Sequence, residues 1–339
     1  MEVFEVSARV PMDVKYVPTW LTWVGSVTGC LRALGLQVDE ADVAGMTGYA
    51  FVLSVHKELC PSGPTMFDWG TLDGGVNILG RSTVAFGCGD CHTGNFINER
   101  TRAHCRKAFE LIAREVQEGR PCVFWGAYVP EFAIAVGVEK GSIIATSYKS
   151  ARGEEEPPIP YDGIDAPGGP YVLAFPTPTA IPNAQVVGDR LAVGKAHQLL
   201  TGPSAFADYG FGLAGYEYWI KALQGSTASP WGAAYCAQCY AEGRGFARSF
   251  LARVASRNLG VAEAVSKGSA AFGRSAAALA EVAKLFPFPP HEELAEAARR
   301  EQAIGFLKEA RSADEQAAAA LREAVHGSWE AQAATAEAG

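Results

Sequence analysis

Two thiols three residues apart on a glycine-rich stretch, Cys88 and Cys91 in GCGDCHTGN, carry the sharpest chemical signal in the chain, and His92 follows them directly. Such a pair suits either a soft metal or a dithiol redox couple. A second pair, Cys236 and Cys239 in YCAQCYAE, has i,i+3 spacing on an expected helix and so shares one face. Four thiolates would satisfy tetrahedral zinc or hold an iron–sulfur centre, provided that the two pairs meet. Thiols that hold no metal are the competing reading, and on it no cofactor is expected. Covalent haem attachment, which Cys-x-x-Cys-His also matches, is disfavoured because it belongs to exported proteins.

The other cysteines read differently. Cys30 and Cys105 fall on apolar helical stripes and Cys122 opens an apolar strand, so all three are expected in the core. Cys60 lies in a turn-rich loop four residues after His56, which leaves open both a thiol–imidazole pair and a structural loop cysteine. In that loop Asp68 and Trp69 have the character of a small-molecule contact, as does Glu217 in GYEYWIKAL, although packing explains such aromatic-rich segments as well.

The chain has 339 residues, 48% of them hydrophobic, and a formal charge of −8. That length supports one large domain or two modest ones. The acidic balance, with no basic block, excludes nucleic acid as an expected partner. The start, MEVFEVSARVPMDVKY, lacks the basic and apolar character of an export signal, and no apolar run approaches the roughly 20 residues of a membrane span. A cytoplasmic protein with mostly reduced cysteines is expected, with no membrane partner.

Periodicity predicts a buried helix over residues 22–34, ended by Gly35, and an amphipathic helix over 98–118, ended by Gly119. Strands are predicted at 48–55 (GYAFVLSV), 123–125, 132–138, 142–147 and 171–175, several of them apolar on both faces and therefore central. Residues 151–170 read as a loop. After Pro182 alanine-rich helices replace strands, with helices predicted at 187–200, 212–223, 235–256, 262–285 and 291–325, and with an i,i+4 pair of Glu296 and Arg300 in the last. The expected organisation is a first domain over 1–182, a helical domain over 183–330 and a frayed tail over 331–339.

The stretches TWVGSVTGCLRALG, GYAFVLSV, GRPCVFWGAYVPEFAIAVGVE, GLAGYEYWIKAL and LFPFPP, in that order, resemble the butirosin-biosynthesis protein H family. The resemblance implies an α+β fold: a papain-like N-terminal domain with a central, mostly antiparallel sheet, followed by an all-helical C-terminal domain. It also implies acyl-transfer ancestry within bacterial specialised metabolism, on a small-molecule or acyl-carrier-bound substrate. In that family a cysteine opens the first buried helix and a histidine on the central strand activates it. Counted back from Gly35, the nucleophile position falls at Thr22, or one turn on at Ser26. Counted back from Gly137, the histidine position falls at Glu131. The strand that should offer an orienting Asp or Asn reads IIATSYKS, with Ser147 the nearest polar residue.

A carboxylate of ordinary pKa about 4.3 is a weak base for a hydroxyl at neutral pH. Burial among Trp125, Tyr128 and Phe132 would raise it into a useful range, whereas a solvated strand end would not. The expected function is small-molecule binding or acyl-transfer-related chemistry with the cysteine–histidine dyad altered. A metal-binding or thiol-redox protein and a non-catalytic scaffold are the alternatives.

Overall fold

A computed structural model describes residues 3–87, 99–225 and 227–329. Its elements are, in chain order, β1 (Ser7–Arg9), α1 (Thr22–Ala33), α2 (Glu40–Thr47), β2 (Ser54–His56), α3 (Asp73–Leu79), β3 (Val84–Gly87), α4 (Glu99–Gln117), β4 (Cys122–Trp125), β5 (Phe132–Glu139), β6 (Ser142–Thr146), α5 (Tyr148–Ala151), β7 (Ile159–Pro160), β8 (Tyr171–Ala174), α6 (Ala184–Thr201), β9 (Tyr209–Phe211), α7 (Leu213–Gln224), α8 (Pro230–Arg257), α9 (Ala262–Leu285) and α10 (Ala297–Val325). The protein is α+β. It divides into one unit of Met1–Val43 with Val76–Ile181 and another of Ala44–Gly75 with Pro182–Gly339.

The first unit is built on a seven-stranded antiparallel sheet in the order β3-β8-β4-β5-β6-β7, with β1 also paired to β5. Strand β5 is central because it is buried on both faces. Ala133 and Ala135 join Phe109, Ile112 and Val116 of α4 in one apolar cluster. The intervening Ile134 is covered by α1 instead, where a Cβ on Gly29 would lie 2.7 Å from its Cδ1. This two-sided burial explains the uninterrupted apolar run of FAIAVGV.

Helix α1 is drawn close by two glycines one turn apart. A Cβ on Gly25 would sit 2.0 Å from the carbonyl oxygen of Val17, and one on Gly29 would sit 2.4 Å from that of Lys15. The small face therefore lets the helix lie directly on the backbone of the preceding extended segment. The Thr19 hydroxyl accepts the Gly25 N–H at 3.2 Å and adds a polar tie.

Strands β5 and β6 are joined by a two-residue turn, Lys140-Gly141, with φ of +45° and +78°. Both values are left-handed, as tight hairpins of this twist require, yet lysine adopts that region at a cost. Replacing the exposed Lys140 with Asn is expected to raise stability by roughly 0.5–1 kcal/mol, read as a higher denaturation midpoint with an unchanged m-value. A lower midpoint would contradict this reading of the turn.

The second unit is not entirely helical. Strand β9 pairs antiparallel with β2, so residues 44–75 belong with the C-terminal helices and the units differ from the continuous 1–182 and 183–330 stretches expected from texture. The polar ties that hold this early segment are specific. Lys195 of α6 donates to the Thr47 carbonyl at 3.2 Å and also to that of Thr71. Tyr240 of α8 accepts the Ser54 N–H at 3.1 Å and donates to the Ser54 carbonyl. Gly212 N donates to Leu53 O at 2.8 Å. The strand predicted over 48–55 is instead a turn of 3-10 helix at Tyr49–Phe51, entered through Gly48 at φ +93°, and only its end is strand. Its continuous apolarity reflects complete burial rather than sheet.

Helices α7, α8, α9 and α10 share a core containing Tyr216, Trp219, Tyr240, Leu279, Val282 and Leu307. Inside the second unit, Arg244 and Asp314 are wholly buried and paired at 2.8 Å. Helix α10 begins at Ala297, six residues later than expected. Glu296 pairs with Arg299 at 2.8 Å, while Arg300 turns to the carbonyls of Leu294 and Ala295 rather than forming the expected i,i+4 pair. Among the described residues no helix is long and apolar enough to cross a membrane.

Candidate functional site

Thr22 and Glu131, 109 positions apart in sequence, meet in the first unit. The Thr22 hydroxyl donates to the Glu131 carboxylate at 2.5 Å, and the same oxygen accepts the backbone N–H of Phe132 at 3.2 Å. Thr22 is the first residue of α1 and is 8% exposed, and Glu131 immediately precedes β5 and is half-buried. The site thus lies where the helix start meets the strand start.

Local geometry fixes both partners. The glycine face described above sets the height of α1. The β4–β5 connection holds Glu131 by its backbone: its carbonyl accepts the N–H groups of Gly126 at 3.0 Å and Ala127 at 3.4 Å, and its own N–H reaches Val129 O at 2.6 Å. Such a turn needs left-handed residues, supplied by Gly126 at φ +94° and Tyr128 at φ +65°. Only glycine fits at 126, because a Cβ would lie 2.7 Å from the carbonyl oxygen of Asp165. Asp165 N in turn donates to Gly126 O at 2.8 Å.

An aromatic cluster begins at the residue after Glu131. Phe132 packs against Trp125 with centroids 4.7 Å apart and meets Tyr171 edge-on at 5.9 Å. The Trp125 indole donates to the Pro167 carbonyl at 3.0 Å. Tyr128 is committed elsewhere: its hydroxyl donates to Pro157 O at 3.0 Å, and Lys149 lies 5.2 Å over its ring. Burial first, then the Glu156 charge, pushes its phenol up to about 12. Tyr148, neighbour of Ser147, carries a phenol shifted from its ordinary range. Its phenol is raised by burial and Glu154, with a smaller contribution from the Glu131 charge, against an opposing pull from Arg152.

Ser26 and Ser147 do not join the pair. Ser26 lies one turn along α1, fully buried, and its hydroxyl has no hydrogen-bond partner among the described residues. Ser147 caps α5, and its hydroxyl and N–H both donate to Glu156 at 2.6 Å. The third role implied by the family resemblance is therefore not filled by Ser147.

The remaining candidates lie in the second unit or outside the description. The Asp68 side chain accepts the Gly70 N–H at 3.0 Å, and Trp69 packs on Phe67 with its indole donating to Thr65 O at 2.9 Å. Glu217 pairs with Arg311 at 3.0 Å. All three are thus engaged in local structure. Cys88, Cys91 and His92 lie outside the described residues. Cys236 and Cys239 are buried on α8, and burial drives the Cys236 thiol well up, with a smaller push from Cys60. Among the described residues no three His, Cys, Asp or Glu side chains are grouped as a metal would require.

The hydrogen bond commits the Thr22 hydroxyl proton to the Glu131 carboxylate in the resting arrangement. The pair can offer an acceptor and a positioned oxygen to a polar ligand, or pass one proton from Thr22 to Glu131 during attack on a carbonyl. No family model matches the chain, and no curated protein matches its sequence.

Proposed function

We propose that the chain binds a small acyl-bearing molecule at the Thr22–Glu131 pair, in a fold of papain-like ancestry resembling the butirosin-biosynthesis protein H family. The observation that carries this is the 2.5 Å hydrogen bond between them, because the resemblance alone had matched these two distant positions to the nucleophile and base. The flanking rings of Trp125, Phe132 and Tyr171 supply the apolar surface that small-molecule sites combine with a few fixed polar groups. Binding rather than turnover is the primary reading, since a carboxylate is a weak base for an alcohol.

The short Thr22–Glu131 distance also favours a second reading, acyl transfer. In that step Thr22 Oγ1 bonds to a thioester carbonyl carbon while its proton passes to Glu131. The carbon–sulfur bond then breaks, the thiol leaves with that proton, and Thr22 carries the acyl group.

Titration with S-acetyl-N-acetylcysteamine followed by intact-mass measurement tests both. Wild-type protein is expected to bind the thioester without gaining an acetyl group, and Glu131→Gln and Thr22→Val to weaken binding at least about tenfold, or about 1.4 kcal/mol. An acetyl group appearing on Thr22 and lost on adding an acceptor amine would establish the second reading. Absence of binding by the folded wild-type protein to short, branched and aromatic acyl thioesters alike would refute both.

A further inference from the structure

A second cluster, wholly within the second unit, contains a directed chain of hydroxyl groups that ends on a sulfur. Ser62 Oγ donates to Cys60 Sγ at 3.0 Å and lies 2.8 Å from the Tyr209 hydroxyl. A serine has one hydroxyl proton, so with that proton aimed at sulfur the Tyr209 phenol must donate to Ser62. Burial holds the Tyr209 phenol above its ordinary range and keeps it a donor. The imidazole of the thiol–imidazole pair left open by the sequence is engaged elsewhere: His56 Nδ1 accepts the Glu58 N–H at 3.2 Å, and its ring packs edge-on to Tyr209 at 5.0 Å.

A second cysteine touches the main chain of Cys60. Cys236 Sγ lies 3.8 Å from the carbonyl oxygen of Cys60. Helix α8 comes this close because position 232, one turn before Cys236, is glycine. A Cβ there would stand 1.5 Å from Leu59 O and 3.0 Å from the Cys60 carbonyl carbon. Gly63 contributes on the other side, where a Cβ would meet Cys236 Sγ at 3.5 Å. Cys60 is partly exposed and Cys236 fully buried. A reagent therefore reaches Cys60 more readily than Cys236, which is screened from solvent.

We infer that Cys60 and Cys236 form a peroxide-responsive thiol pair, with Cys60 the reacting sulfur and Cys236 the resolving one. In the first step Cys60 sulfur attacks the terminal oxygen of a hydroperoxide. The sulfur–oxygen bond forms, the oxygen–oxygen bond breaks, an alcohol or water leaves with the thiol proton, and Cys60 becomes a sulfenic acid. In the second, Cys236 sulfur displaces that oxygen as water, its own proton leaves with it, and a disulfide closes. The Tyr209–Ser62 chain holds the Cys60 side chain in place through the hydroxyl that donates to its sulfur. Cys236 Sγ already touches the main chain of Cys60 itself, at 3.8 Å from its carbonyl oxygen, and the disulfide closes from that contact. This pair is independent of the Thr22–Glu131 reading.

The test uses the full chain carrying Cys88→Ser and Cys91→Ser, treated with hydrogen peroxide and mapped by mass spectrometry without reduction. A peptide pair joining Cys60 to Cys236 is expected, reversed by dithiothreitol. In Cys236→Ala on the same background, dimedone is expected to label Cys60 as its sulfenic acid. Iodoacetamide on the untreated parent supplies a readout that needs no Cys236 variant: Cys60 should alkylate at least about tenfold faster than Cys105, and Ser62→Ala should slow Cys60 by a similar factor. Peroxide that oxidises the protein without a Cys60–Cys236 link, or a Cys60 alkylated no faster than Cys105, would overturn the inference.

Discussion

Asp314→Ala is expected to lower stability by about 3–5 kcal/mol, because it removes one partner of a fully buried ion pair and leaves the other charge uncompensated. The geometry makes this site unusually dependent on one oxygen. Asp314 Oδ2 accepts from Arg244 Nε at 3.0 Å, from an Arg244 terminal nitrogen at 2.8 Å and from Tyr216 at 2.8 Å, while Oδ1 is buried with no hydrogen-bond partner among the described residues. Burial works against the Arg244 charge, but Asp314 and Tyr216 outweigh it and hold the guanidinium above its ordinary range. Arg244 also donates to the carbonyls of Ala50 and Val52 at 3.0 and 3.2 Å, so the early segment is tied through it to α7, α8 and α10. Chemical denaturation is the measurement. The double variant Arg244→Met with Asp314→Leu should recover part of the loss but not all, because those two carbonyls lose their donor. A single variant costing less than about 1 kcal/mol would show that the pair is not needed for the fold of this unit.

The second large effect concerns the helix that carries Thr22. Gly25→Ala is expected to destabilise by about 3 kcal/mol and to separate Thr22 from Glu131, since its Cβ would meet the Val17 carbonyl at 2.0 Å and neither backbone can yield cheaply. The same substitution at Gly305, where nothing lies within 4 Å, should instead stabilise by roughly 0.4–1 kcal/mol. Thermal unfolding of the two variants side by side separates close packing from helix propensity. Equal and favourable effects would contradict the close seating of α1.

Long periodic helices were readable from residue types, and α9 coincides with its expected bounds because a single apolar stripe is ended by PFPP. The short strands β1, β3 and β7 were not readable. They span two to four residues, β1 and β3 are largely exposed, and pairing partners supplied by distant segments define all three. The grouping of residues 44–75 with the second unit has the same origin: their ties to Lys195, Arg244, Tyr240 and Gly212 are long-range and leave no local pattern.

The candidate site was legible only through family resemblance, because no local spacing links a threonine at a helix start to a glutamate 109 residues away. Ser147 looked like an orienting group because it is the polar residue ending an apolar strand, a position that also suits a helix cap. The Cys60–Ser62–Tyr209 chain depends on a strand pair joining residues 54–56 to 209–211 and was invisible before the fold was known.

The most direct test of the account is a crystal structure of the protein soaked with S-acetyl-N-acetylcysteamine. The account predicts the acetyl carbonyl within hydrogen-bonding distance of Thr22 Oγ1 or the Glu131 carboxylate, flanked by Phe132, with no bond to Thr22. A thioester bound only elsewhere, with the Thr22–Glu131 hydrogen bond undisturbed, would reduce that pair to a structural tie between α1 and β5.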